Sequence, residues 1–370
     1  MTKHLYFSVG ILVCGALAAD ARAQTAPATA TGWDQTTSLR SSIGWRDNVL
    51  LSSFAPIGRG FGRAEIDTFL TKRQGDWRWL SFVNGDVLRY FSPPRETGGE
   101  QQWFVHGEAR WQHWPAWRVA VKADGFLQDA VVDLSETESV RTVAPTRAQG
   151  GFATATTRVE LPAGFAVEPV WQVKRVEYRN FPGGYDDTKA GGRLEWTRSE
   201  RLTLSVAAFE RRRGYAERQN YTAGGRALKD TRLRFWQREG ELRVATAWSG
   251  GGLWVSAVTV GRLENRDRAS GFFDYDQQRA RLELSWQRAA WKVTCDGTAR
   301  RMDYLVQTVG TGTAPPPRVA DNFETSLRVE RELNGAWTVF GEYRWERNRS
   351  NETGFNYRAN TVLAGVQRNF

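Results

Sequence analysis

Cysteine is almost missing from this 370-residue chain, which carries only Cys14 and Cys295, so no set of disulfides can staple the fold. Histidine is equally scarce, with three residues, too few beside so little cysteine for a zinc cluster. Outside the extreme N-terminus there is no run of about 20 apolar residues, which excludes a bundle of membrane-crossing helices. Disorder is excluded from the other side, because 12% of the residues are aromatic and 17 are tryptophan. A block of charge of one sign is missing too. The net charge is +10, yet the basic residues are interspersed with acids and form no patch for nucleic acid.

The one long apolar run has the order of an export leader. Lys3 precedes the apolar stretch Leu5 to Ala19, and Ala21-Arg22-Ala23 supplies small residues at the −3 and −1 positions of a cleavage site. We therefore expect a cleaved signal peptide over residues 1–23, a short linker over 24–35 and one folded unit over 36–370. Removal of Lys3, Arg22 and Asp20 leaves 49 basic and 40 acidic residues, a net charge of +9. Cys14 leaves with the leader, and the excess positive charge is mostly arginine, the side chain best shaped for fixed pairing with carboxylates.

Downstream of about residue 36, apolar and polar residues alternate with period two, over segments longer than the five or six residues of an ordinary soluble strand. In Arg279 to Trp286, Ala280, Leu282, Leu284 and Trp286 share one face, and Arg279, Arg281, Glu283 and Ser285 share the other. Trp117 to Lys122, Phe323 to Leu333 and Trp337 to Trp345 repeat the arrangement. Sixteen such segments can be counted, centred near 40, 68, 84, 107, 121, 156, 171, 194, 206, 239, 259, 281, 297, 328, 341 and 363. Seven short turns interleave with eight longer loops, the longest placed at 128–147. Strict alternation of short and long connections is the pattern of an up-and-down barrel with both termini at the short-turn end. The fold class is thus all-β, a transmembrane antiparallel barrel of about 16 strands, with 14 to 18 as the range.

Aromatics mark the short turns. Trp114, Trp196, Trp248 and Trp286 enter them, and Trp77, Trp117, Trp254, Trp291 and Trp337 leave them. Nine indoles at one rim match a membrane-interface girdle, where the ring body lies in lipid and the N–H reaches the headgroups. The last strand alternates through Val362, Ala364 and Val366 to a terminal Phe370.

That ending resembles the C-terminal strand of bacterial outer-membrane β-barrels, which barrel-assembly machinery reads; Arg368 departs from it, standing where an aromatic or apolar residue is commoner. Ile43 to Leu51 and Arg344 to Phe370 also resemble the two ends of the uncharacterised putative β-barrel porin families. The resemblance implies an outer-membrane barrel of porin type in a Gram-negative-type bacterium, with Phe370 as assembly signal and no catalytic residues. Its partners would be outer-membrane lipid and lipopolysaccharide, the assembly machinery and, in some porins, two further copies in a homo-trimer.

Sixteen strands enclose an aqueous lumen, so function is expected on the inner wall and the long loops. Alternation assigns to that wall Glu108, Arg110, Arg118, Lys122, Asp124, Arg193, Glu195, Arg279, Arg281, Glu283, Arg328, Glu330, Glu342 and Arg344. Facing acidic and basic walls would orient permeating solutes, and rings of arginine would favour anions. The same residues serve equally as a ladder of cross-strand ion pairs that stiffens the wall. Gly58 to Gly62 reads as flexible loop and not as a phosphate cradle. The loop Val131 to Ala148, with Asp133, Glu136 and Glu138, is the candidate to fold inward and narrow the pore. A porin-like passive channel without cofactor is the function expected. An accessory barrel for polysaccharide export is the second reading, and a lipid hydrolase built on the inward-facing His106 the third.

Overall fold

The computed structural model describes residues 32–93, 98–133, 143–179 and 183–370. The segments expected to be signal peptide and, almost entirely, linker lie outside the described residues. Sixteen strands form one closed antiparallel barrel in which every strand pairs with its sequence neighbours. They are β1 (Asp34–Arg46), β2 (Arg59–Gln74), β3 (Trp77–Tyr90), β4 (Gly99–Trp114), β5 (Trp117–Asp133) and β6 (Val143–Glu160). Next come β7 (Phe165–Tyr178), β8 (Tyr185–Ser199), β9 (Leu202–Tyr215), β10 (Arg234–Ser249) and β11 (Leu253–Asp267). The last five are β12 (Tyr275–Arg288), β13 (Trp291–Thr308), β14 (Pro317–Asn334), β15 (Trp337–Ser350) and β16 (Tyr357–Asn369).

Closure is made by the ends of the chain. β1 pairs with β16 from Ser38 opposite Asn369 to Arg46 opposite Thr361. The Phe370 N–H extends the ladder by donating to the Thr37 carbonyl at 2.8 Å. No strand edge is left to recruit another chain. Both ends of the barrel sequence lie at the rim of short turns. There Gly75, at φ +57°, supplies the left-handed conformation that the tight β2–β3 hairpin requires.

The two faces separate as the alternation dictates. Leu39, Ile43, Val121, Val206, Leu282 and Val362 point outward from the middle of strands; Ile43 is 68% exposed and Val121 54%. Apolar exposure around a whole barrel is unfavourable in water and is what a lipid-facing surface requires. The inward face holds buried Phe61, Phe82, Phe104, Phe126, Tyr185 and Tyr215 together with ion-paired side chains. Gly44 permits this packing on β1, since a Cβ there would lie 2.5 Å from the Phe61 ring.

Two loop expectations are corrected. The region read as a loop at 128–147 is largely hairpin: β5 runs to Asp133, β6 starts at Val143, and Val131 lies opposite Pro145. Glu136 and Glu138 fall outside the described residues. Arg59 to Gly62 are strand and not loop, with Gly60 opposite Trp45 and Gly62 opposite Ile43; pairing with β1 recruits glycines that local propensity leaves in a loop.

Candidate functional site

The candidate site is the inner wall. Strand register places all fourteen sequence-assigned charged residues on the face opposite the exposed Leu, Val and Trp side chains. On β4 and β5, Asp124 sits 2.7 Å from His106 Nδ1, and Glu108 lies 3.7 Å from His106 Nε2 while also pairing with Arg110. Both imidazole nitrogens are thus turned to carboxylates. His113 faces outward at the short-turn rim, 2.7 Å from Asp76.

Further round the barrel, Arg158 bridges Glu160 at 2.6 Å and Glu195 at 2.7 Å, and Arg193 stands 3.8 Å from Glu168. Lys189 and Arg279 converge on Glu239, and Arg279 also reaches Glu241. Glu283 is held between Arg243 at 2.6 Å and Arg281 at 2.9 Å. Arg328 spans Glu330 at 2.6 Å and Glu342 at 3.2 Å, while Arg344 pairs with Glu342 from the other side. Most of the wall is therefore clamped, by arginines that reach a carboxylate two residues along their own strand, on the next strand or across an intervening one.

Not every inward cation is clamped: among the described residues Arg118, Lys122 and Arg300 form no ion pair, nor do Arg59 and Arg73 at the two ends of β2. Register sets Arg118 opposite Arg158 and Arg300 opposite Arg279, so like charges adjoin. Arg118 and Lys122 belong to the sequence-assigned set; Arg300 does not, although it alternates with outward Ala299 and Arg301.

Sequence reasoning also missed a second ion-pair cluster. Arg40 pairs with Glu65 and Asp67, Arg63 with Glu65 and with Asp86 at 2.8 Å, and Arg46 with Glu100 at 3.1 Å. Its signal was present in the alternation of Arg63, Glu65 and Asp67 with Ala64 and Ile66. Adjoining it is a cavity of about 180 Å³ lined by Arg46, Arg63, Asp86, Glu100, Arg344 and Glu346.

Phe272 and Phe273 of the β11–β12 connection pack in one cluster with the inward Phe82, Phe104 and Phe126, and the first loop, at 47–58, also enters the barrel. Val49 and Leu51 are buried against Phe61, Tyr90, Phe340, Leu363, Tyr357 and Val131. Asn48 fastens it, donating to the Ser52 and Arg358 carbonyls at 2.9 Å each and accepting from the Ser52 N–H at 2.8 Å. The Asp-Asn-Val-Leu-Leu run could have disclosed this, since three consecutive apolar residues in a surface loop need something to bury them.

At the outer surface, the nine tryptophans assigned to one rim all occupy the short-turn ends of their strands. Trp248, Trp254 and Trp286 form a continuous row with ring centroids 6.0 Å apart, and Trp114 and Trp117 stack at 5.7 Å. Phe370, 60% exposed, lies beneath the Arg368 guanidinium, which also covers Trp337. A further outward set, Trp45, Trp103, Trp236 and Trp345, lies toward the opposite rim.

Comparison with known proteins gives likeness in structure alone. No family model matches the chain, so the narrower resemblance of its two ends gains no support there. No curated protein matches it either. Among solved structures, a BenF-like porin from Pseudomonas fluorescens Pf-5 superposes with a TM-score of 0.50 at 8% identity, covering 91% of this chain and 98% of that one. An anion-selective porin from Comamonas acidovorans gives 0.47 at 10% identity, over 92% and 99% of the two chains. Pseudomonas aeruginosa OccK2 in complex with glucuronate gives 0.48 at 9% identity, over 91% and 98%. The chain is a closed antiparallel β-barrel of sixteen strands, similar to these proteins in fold and not in sequence.

Proposed function

We propose that the barrel is a passive channel that admits small polar solutes and favours anions. The observation that carries this reading is the inner wall itself. Its acidic groups are engaged in shared ion pairs, whereas Arg118 and Arg300 face inward beside like charges and Lys122 faces Glu108, already held by Arg110, without closing an ion pair. Clamped pairs fix the wall and cancel much of each other's field; the unclamped cations supply a net positive potential along the path. The 47–58 loop, docked inside the mouth, sets the width.

The test is uptake by liposomes. Vesicles holding the purified barrel should swell in small sugars and faster in the corresponding uronates at low salt. Replacing the three cations together (R118Q/K122Q/R300Q) should remove the preference for uronates and leave sugar uptake within about twofold. Equal preference in wild type and variant would refute the anion reading.

Other assignments belong to the same proposal. The leader directs export, β16 and Phe370 present the chain to the barrel-assembly machinery, and the short-turn tryptophans sit at the periplasmic interface. The outward apolar surface serves lipid contact or the faces of a homo-trimer.

A further inference from the structure

The connection between β11 and β12, residues 268–274, carries two consecutive phenylalanines, and both are buried, Phe273 to 1% exposure and Phe272 to 8%. So short a link cannot cover two rings by itself; the barrel and a second loop do it. Phe273 ends a chain of inward rings, in which Tyr185, Tyr215, Phe235 and Phe273 follow one another at centroid distances of 5.5, 5.8 and 6.1 Å. Phe272 stacks instead on Tyr221 of the 216–233 connection at 5.5 Å and lies against Gly225, where a Cβ would come within 3.2 Å of the ring. With Leu233 these rings join Phe82, Phe104 and Phe126 in one apolar mass inside the long-loop half of the barrel.

The link is fastened to itself and to the barrel in different ways. Internally, the Asp267 carboxylate accepts from the N–H groups of Ala269, Gly271 and Phe273 at 2.8, 2.9 and 2.9 Å. The Asp274 N–H donates to the Gly271 carbonyl at 2.8 Å, and Gly271 itself takes the left-handed conformation at φ +79°. Charge-assisted bonds to one carboxylate hold the backbone in a single shape, a preformed wedge. Its two phenylalanine carbonyls meet the wall through side-chain amides: Asn265 Nδ2 donates to Phe273 at 2.7 Å and Gln307 Nε2 to Phe272 at 3.0 Å. The remaining seat is apolar and therefore non-directional. Both ends stay in the ladder, since the Arg268 N–H donates to the Arg234 carbonyl at 3.1 Å and the Leu305 N–H to the Asp274 carbonyl at 2.9 Å. A stiff body on two fixed ends, seated by contacts without direction, lifts as a unit more readily than it unravels.

We propose that residues 268–274 are a gate. Seated as in this structure, Phe272 and Phe273 close the long-loop half of the lumen, and conduction occurs while the wedge is lifted. Ser270 Oγ, which donates to the Tyr221 carbonyl at 2.5 Å, carries the 216–233 connection with it. The inference rests on the channel reading and adds an on–off element to it, separate from the 47–58 loop that sets the width.

Single-channel recording of the full-length barrel in planar bilayers tests the gate. Burial of even one phenylalanine is worth more than about a factor of ten in a seating equilibrium, so F272A/F273A should raise the open-time fraction at least tenfold. Unit conductance should stay within about twofold of wild type, because the lifted wedge does not line the path. Higher unit conductance with an unchanged open fraction would overturn the gate and make the pair a fixed constriction. Seating is read independently of current: Ala148 lies in the same apolar mass at 6% exposure, and in a C295S background A148C should react with a water-soluble maleimide at least fivefold faster once Phe272 and Phe273 are alanine. Equal reaction rates would overturn the proposal. Faster reaction in barrels that never conduct would refute the channel reading, and the gate with it, while the seating stood. Heat-shifted gel mobility checks folding, and Q307A, expected to raise the open fraction about threefold by freeing the Phe272 carbonyl, serves if the double variant does not fold.

Discussion

Replacing Glu342 by Gln should loosen the barrel by a predictable amount. Its carboxylate accepts from Arg328 Nη1 at 3.2 Å and pairs with Arg344, and the side chains of Glu342 and Arg328 are 6% and 11% exposed. Arg328 also packs on the Phe340 ring, its guanidinium carbon 3.9 Å from the centroid, so it cannot swing into water without losing that contact. Removing one partner of a dry buried pair costs about 3–5 kcal/mol. Here Arg328 keeps Glu330 at 2.6 Å, which limits the loss to about 1.5–3 kcal/mol, the range for hydrogen bonds to charged groups. Arg344, 42% exposed, adds little, because exposed pairs contribute at most about 1 kcal/mol. Equilibrium unfolding in urea from lipid vesicles, followed by tryptophan emission, reads the change directly. A companion cycle with R328Q should return a coupling of about 1–2 kcal/mol for this pair, since contacting residues are non-additive on that scale. A loss below about 0.5 kcal/mol, the level of an ordinary surface substitution, would show that the wall pairs are solvated and do not stiffen the barrel.

Two further outcomes follow from the same geometry. Asn48→Ala removes three hydrogen bonds that fasten the 47–58 loop, so amide exchange over that loop should accelerate and single-channel conductance should rise; unchanged protection would mean that apolar packing of Val49 and Leu51 alone holds it. Phe substitutions at Trp248, Trp254 and Trp286 should remove emission that lipids brominated near the headgroup quench more than lipids brominated at the chain end, and the opposite order would displace the row from the interface.

The barrel was legible in the sequence because its determinants are local. Period-two alternation assigns faces, and the interleaving of short and long connections assigns strand order without any long-range information. All sixteen strands lie where the alternation puts them, for instance around Arg279 to Trp286 in β12 and Trp337 to Trp345 in β15. What stayed hidden depends on contacts between distant segments. Gly60 and Gly62 become strand only because β1 is there to pair with them. The 47–58 loop turns inward because Leu363, Phe340 and Val131, far away in sequence, offer it an apolar seat. Pairing partners on the wall were likewise beyond reach, since Arg243 meets Glu283 and Lys189 meets Glu239 across an intervening strand. Alternation says that a charge faces inward; only register sets Arg118 opposite Arg158 and Arg300 opposite Arg279, like charge against like.

The most direct measurement is conductance across a planar bilayer after insertion of the purified, heat-modifiable barrel, under a tenfold gradient of potassium chloride. Discrete ohmic steps with a reversal potential on the chloride side are expected, moving toward zero in R118Q/K122Q/R300Q. A folded barrel that gives no steps, either as wild type or after Asn48→Ala frees the mouth, would contradict the reading of this protein as a channel.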